Sequence, residues 1–306
     1  MLMKKILPSN YKEILKLIDK DISYLNIYFC LKSSVYNWSP TTKVHAWKFY
    51  DDVFTCYAVL NIHTHGKPYL FIQTNYEIED YEKGNEAVNL LFDDLLKLIE
   101  EVEEIGIVCS DIFMRTFRKL FITQSPFVNS SIDEPVAFFY INDENYDKYI
   151  KDGATLEEEF KVIQLPPSYA QTMIDQLLFA GNGDVELAKH RLEQYPSVGI
   201  VEKNSNQIAS FYYNDGYGFL AHQFTFSEFR RRGLGKACEI ELSKLNKELM
   251  GVIPLKAVSL NRKYVISLAG RLKYWSRISN KDMNHPDVYW TFFSKNETQK
   301  KQMYDN

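Results

Sequence analysis

The sequence predicts a mixed α/β protein built from two halves. Three observations carry the prediction. Apolar runs with strand-like character alternate with helical 3.6-residue patterns along the whole chain. A polar, acidic stretch, INDENYDKYIKDGATLEEEF (residues 141–160), separates a first half, 1–150, from a second, 155–306. The 306 residues, 45% of them hydrophobic and 25% charged, are long for one core and comfortable for two.

The elements follow in order. Residues 10–20 read as an amphipathic helix, with Asn10 and Glu13 as its cap. VFTCYAVLNIHTHGKPYLFIQTNYE reads as a hairpin around His65-Gly66. Residues 86–104 carry Leu91, Leu95, Leu98 and Val102 at helical spacing. IGIVCS is a short buried strand, and Asp111 is expected to cap the helix IFMRTFRKLF. In the second half, Pro166-Pro167-Ser168 starts a helix that Gly181 ends, and Asp184 opens another that Pro196 stops. Three strands follow, VGIVEK, QIASFYYN and FLAHQFTF, separated by the turns NSN and DGYG. A helix led by RRRGLG, the strand LKAVSL, a helix after Asn261 and the strand VYWTFFS complete the chain. The halves are loosely alike, as a duplicated fold would be. At the mouth of the long helix the first half has Tyr81-Glu82-Lys83-Gly84, with no arginine–glycine run, and reads as an emptied site.

Composition narrows the function classes. A net charge of −4 argues against a general nucleic-acid binder. Cys30, Cys56, Cys109 and Cys238 form no C-x-x-C pair, which argues against a zinc site and for the buried thiols of an intracellular protein. No apolar run reaches membrane-spanning length, and the charged start MLMKKILPSNYKEILKLIDK reads neither as a signal peptide nor as an Arg-rich transit peptide. The N-x-S/T triplets at Asn37, Asn129 and Asn296 read as chance.

The stretch FTFSEFRRRGLGKACEIELSKL carries the chemistry. A helix start leaves backbone N–H groups unpaired at the positive end of its dipole, and glycines let an anion approach them. Arg231, Arg232 and Lys236 would add counter-charge. The dinucleotide pattern fails because Cys238 stands where a third glycine belongs, and the P-loop fails because Ala237 follows Lys236. The spacing that matches is R-x-x-G-x-G, here Arg230, Gly233 and Gly235. It resembles the pyrophosphate loop of the GNAT superfamily, the acyl-CoA-dependent N-acyltransferases, and the preceding Thr225 to Arg230 looks like that family's entry to the loop. The order strand, loop, helix, strand, then Asn261, is similar as well.

A narrower resemblance, to the glycine N-acyltransferase family, runs through LLFAGNGDVELAKHRLEQYPSVGIV and PLKAVSLNRKYVISLAGRL, and more weakly through KVHAWKFYDDV. It implies a C-terminal GNAT-type fold with a mixed central sheet, preceded by a degenerate GNAT-like half. It implies transfer of an acyl group from acyl-CoA, without a metal, to the amino group of glycine or another small amino acid. Arg230, Arg231, Arg232, Gly233, Leu234, Gly235 and Lys236 would hold the pyrophosphate. Phe224, Thr225 and Phe226 would bond pantetheine as an extra strand does, with Asn261 on its amides. Relatives are mitochondrial, with a cytoplasmic location as the alternative.

The departure lies at Phe219, which occupies the position of the family's glutamate base and cannot take a proton. His222 on the same strand is the candidate base, placed on the opposite face unless a bulge intervenes, and its bland reading is a packed core histidine; Asp215 or water are its rivals. The family's tyrosine acid aligns with Leu268 and Ala269, while Tyr264 and Tyr274 read as packing residues. The alternative function is therefore a non-catalytic or regulatory CoA-binding protein that has lost its base. His63-Thr64-His65 reads as a solvated hairpin, and Cys238 as a packed thiol.

Overall fold

The fold was described from a computed structural model covering residues 1–75, 77–129, 133–177, 183–279, 282 and 284–295. In chain order the elements are β1 (Leu2–Ile6), α1 (Tyr11–Leu17), α2 (Leu25–Val35), β2 (Thr42–Tyr50), β3 (Thr55–His63), β4 (Tyr69–Gln73), α3 (Tyr81–Leu98), β5 (Glu104–Cys109), α4 (Asp111–Gln124), β6 (Val128–Asn129) and β7 (Glu134–Tyr140). Then come α5 (Asp143–Tyr149), β8 (Phe160–Ile163), α6 (Ala170–Ile174), α7 (Asp184–Gln194), β9 (Ser197–Glu202), β10 (Ile208–Asn214) and β11 (Leu220–Thr225). The chain closes with α8 (Leu234–Met250), β12 (Leu255–Ser259), α9 (Lys263–Arg271), β13 (Ser276–Arg277) and β14 (Val288–Ser294). This is the mixed α/β class.

The chain divides into two compact units. The first takes residues 1–138, 258–266 and the described residues from 278 on; the second takes 139–257 and 267–277. The division falls inside β7, β12 and α9. It differs from the sequence reading, which kept everything after residue 155 together. The acidic stretch read as a linker holds α5, whose Asn142 cap accepts from the Asn145 N–H at 2.7 Å, and the start of β8.

In the first unit the strands run β1–β2–β3–β4–β5–β14–β7. β4 and β5 pair in parallel, and α3 makes the crossover between them. β14 pairs antiparallel with the whole of β5, from Tyr289 opposite Cys109 to Ser294 opposite Glu104. Packing explains its place. Phe293 is fully buried and stacks on Phe121 of α4, ring centroids 4.4 Å apart, within a core that includes Trp47, Phe92, Phe113 and Phe117.

Four local expectations are corrected. α3 runs from Tyr81 to Leu98 rather than from Glu86 to Glu104, because Asp80 accepts from the Lys83 N–H at 2.9 Å and caps a polar first turn that carries no apolar signal, while Glu104 already belongs to β5. Asn10 ends a short 3₁₀ turn and makes no side-chain cap bond to α1. Asp111 is the first residue of α4, which Ser110 precedes without a side-chain bond. α6 stops at Ile174, and Gly181 lies outside the described residues.

In the second unit β8, β9, β10 and β11 form an antiparallel sheet in that order. α6, α7 and the sheet share a core of Leu165, Met173, Leu192, Phe211 and Tyr213. β11 is the outermost strand and leads through a short loop into α8, whose own strand, β12, follows.

Candidate functional site

β11 is held on one side only. Its inner side pairs with β10, from Ser210 opposite Thr225 to Asn214 opposite Leu220. On its outer side a single parallel bridge joins Phe219 to Leu255, at the head of β12. Beyond that bridge, among the described residues, the outer edge of β11 has no strand partner. An edge with open N–H and C=O groups accepts an extended chain as an added strand. Phe226 donates its N–H to Ala209 O at 3.0 Å, so the alternation of an antiparallel strand turns Phe224 and Phe226 inward and Thr225 outward. Of the three residues expected to bond pantetheine, only Thr225 faces the open edge.

The register slips by one residue between Phe211 and Tyr213, where His222 and Gln223 of β11 oppose Tyr212. His222 takes up the bulge with φ +60°, a left-handed conformation rare outside glycine and tolerated better by His than by most residues. The bulge leaves the imidazole exposed, its ring stacked on Tyr213 at 5.3 Å. A packed core histidine, the bland reading of this residue, is excluded.

The loop after β11 is braced from several sides. Arg230 Nε donates to Thr225 O at 3.0 Å, and its guanidinium lies 5.8 Å from the Phe224 ring. Arg231 and Gly233 are both left-handed, at φ +64° and +74°. Gly233 is the N-cap of α8 and offers no side chain to it, so the N–H groups of Leu234, Gly235 and Lys236 face outward without a capping acceptor. A Cβ at Gly235 would lie 3.2 Å from Thr225 Oγ1, which is how glycine lets the helix mouth close on β11. Arg231 and Lys236 are exposed, and among the described residues no carboxylate pairs with them. Arg232, expected to face an anion, instead contacts Glu157 and Glu159 and lies 4.5 Å from the Phe160 ring. The sequence reading missed both acids by assigning them to a linker.

The proton-accepting candidates sit at the other end of β11. Phe219 is buried, and its N–H donates to Asp215 Oδ1 at 3.1 Å, as does that of Tyr217 at 2.8 Å. Burial pushes the Asp215 carboxyl from the ordinary 3.8 up to about 6, against the attraction of Arg191 and the two N–H bonds. Arg191 also hydrogen-bonds Tyr213, whose hydroxyl burial pushes up to about 12, and lies 5.5 Å from the Tyr217 ring. Asp215, Arg191, Tyr213 and His222 thus form one contiguous cluster. Arg191, Tyr213 and Tyr217 carried no motif that would have singled them out.

Other candidates are placed as follows. Asn261 belongs to the first unit, where its Nδ2 lies 3.3 Å from both Glu134 carboxylate oxygens and its N–H donates to Ser259 Oγ at 3.0 Å. Tyr274 is buried and donates to Glu239 Oε2 at 2.5 Å, while Lys256 Nζ donates to Glu239 Oε1 at 2.8 Å. Its hydroxyl is raised by burial and this carboxylate, so it is not a ready acid. Cys238 is fully buried and its thiol is pushed up to about 12, the opposite of an activated nucleophile. His63 is buried, its Nδ1 accepting from the His65 N–H at 3.0 Å, so the solvated-hairpin reading fails for it. At the mouth of α3 in the first unit, Lys83 pairs with Asp51 at 2.5 Å, and a Cβ on Gly84 would lie 2.4 Å from Ile112 O. Asp80 caps the N-terminus of that helix by accepting from the Lys83 N–H at 2.9 Å. Among the described residues no helix is long and apolar enough to cross a membrane, and no group of three or more His, Cys, Asp or Glu side chains is placed to hold a metal.

The fold and the site together define a mixed α/β protein in which a half-open strand feeds an uncapped, glycine-led helix. In fold the chain is similar to a Drosophila protein whose X-ray structure was determined as a structural-genomics target, at 14% identity over 95% of this chain and 98% of that one, with a TM-score of 0.70. It also aligns with a tandem GNAT protein from the clavulanic acid biosynthesis pathway, at 12% identity over 96% and 99% of the two chains and a TM-score of 0.49. A GCN5-related N-acetyltransferase from Sphaerobacter thermophilus aligns at 10% identity over 95% and 94%, with a TM-score of 0.44. The first likeness is one of fold alone. No family model matches the sequence, and no curated protein matches it.

Proposed function

We propose that this chain is an acyl-CoA-dependent N-acyltransferase whose acceptor is the amino group of glycine or another small amino acid. The observation that carries the reading is the open edge of β11 beside the uncapped mouth of α8. The end of pairing after Phe219 leaves room for an extended pantetheine on the Thr225 N–H, the Thr225 C=O being taken by Arg230, and the N–H groups of Leu234, Gly235 and Lys236, with Arg231 and Lys236 as counter-charge, suit its pyrophosphate. The residues present therefore fit acyl-CoA, which supplies the activated thioester. The glycine acceptor rests on the sequence resemblance, and Asn261 is assigned to the pantetheine amides on that ground alone.

The chain's own contribution is placement, oxyanion stabilisation and proton removal. An outward backbone N–H of β11 beside the bulge would polarise the thioester carbonyl. The exposed His222, stacked on Tyr213, would take the proton of the attacking amine, with Asp215 as the rival. A second reading has its own observation. Phe219 is buried where the resembled family places its base, which favours a protein that binds CoA without turning it over.

Free-thiol release across a panel of acyl-CoAs and amino acids separates the two. The first reading expects amine-dependent release. Calorimetric CoA binding without any release would leave the second, and the absence of both would end the acyl-CoA assignment.

A further inference from the structure

Arg232 stands between the two left-handed residues of the loop, Arg231 at φ +64° and Gly233 at φ +74°. For glycine that conformation is free; for Arg231 it is strained and persists only where the surroundings dictate it. The surroundings are a short acidic strap. Arg232 contacts both Glu157 and Glu159, and its guanidinium rests 4.5 Å from the ring of Phe160, which meets Phe229 edge-on at 6.0 Å in the turn that begins the loop. The strap is itself fastened. Phe160 donates its N–H to Glu157 O at 3.0 Å, Lys203 donates to Glu159 O at 2.7 Å, and Ala154 donates to Glu241 Oε1 of α8 at 2.5 Å.

We infer that Glu157 and Glu159 are positioning residues of the anion loop, acting through Arg232 to hold Arg231 and the mouth of α8 in the ligand-receiving conformation. The inference rests on the reading that this loop takes a phosphate. Two carboxylates beside an anion site repel its ligand unless they serve another end, since one arginine offsets one of their charges. A partly exposed ion pair adds little to global stability, so the consequence lies in where the loop points rather than in the protein's melting point. Arg232 is accordingly an anchor and not a phosphate ligand.

The double variant Glu157→Gln with Glu159→Gln tests this in the full chain. Without any ligand, hydrogen exchange of the amides from 231 to 236 should quicken while the rest of the second unit is unchanged; equal exchange in that segment overturns the anchor. With ligand, calorimetry compares CoA with pantetheine, which lacks the phosphates. The affinity gap between them should shrink by about tenfold on loss of the strap, the scale of one released backbone strain. Bare electrostatics gives the opposite sign, because two negative charges have been removed, so a gap that holds or widens also overturns the anchor. A wild type with no CoA–pantetheine gap refutes the phosphate reading itself, and the exchange experiment then still decides the anchor.

Discussion

Asp215 is the residue whose replacement gives the most direct physical test of the site. The carboxyl is buried, and desolvation lifts it from the ordinary 3.8 to about 6 despite the attraction of Arg191 and N–H bonds from Tyr217 and Phe219. Its folded-state value lies above its unfolded one, so the native protein binds the proton more tightly than the unfolded chain. Stability is therefore greatest below about pH 4 as far as this group is concerned, and is lost as pH rises to about 6 and beyond. The loss amounts to ~3 kcal/mol for a rise of this size. Asp215→Asn removes the ionisation and keeps an oxygen to accept the two backbone N–H bonds. Urea unfolding at pH 7.5 should show the variant more stable by up to ~3 kcal/mol, while at pH 4 the two proteins should unfold alike. A stability difference that stays constant between these pH values would refute burial as the origin of the raised carboxyl. The same variant in the thiol-release assay then weighs Asp215 against His222.

His222→Gly should relieve the left-handed strain and raise stability by ~1 kcal/mol, while lowering the rate per folded molecule and changing the pH–rate profile if the imidazole takes the proton; unchanged pH–rate profiles would exclude it. Glu239→Gln should destabilise by ~3–5 kcal/mol in denaturant unfolding, because it leaves the buried Lys256 ammonium without a counter-charge and one oxygen to serve both Lys256 and Tyr274, and a loss under 1 kcal/mol would show water reaching the pair. Gly233→Ala meets no atom within 4 Å, so its cost should be the backbone strain alone, ~1–2 kcal/mol, and a larger loss in thermal unfolding would mean that the methyl group meets other atoms in solution.

Local features of this chain were legible where the physics is local. Leu91 and Leu95 mark the buried face of α3 because helical periodicity needs only neighbours three and four apart. Arg230, Gly233 and Gly235 announced a helix mouth, and the order of β11, α8 and β12 followed from the same stretch. The hairpin of β3 and β4 and the short buried strand β5 were readable from apolar runs between turn residues. Boundaries set by capping were not: the polar turn Tyr81 to Gly84 reads as loop until Asp80 is seen to cap it.

What tertiary structure alone decided is which distant partner each group meets. Nothing in VYWTFFS says that it pairs with β5, some two hundred residues earlier, rather than with its sequence neighbours; Phe293 stacked on Phe121 decides it. Arg232 reads as a phosphate ligand beside its glycines and becomes an anchor only once Glu157 and Glu159 fold against it. His222 is assigned to one face by strict alternation, and the one-residue slip opposite Tyr212 reorients it. In each case the sequence carries the propensity of the residue itself. The partner is selected by packing and charge pairing across long loops, for which no local pattern exists.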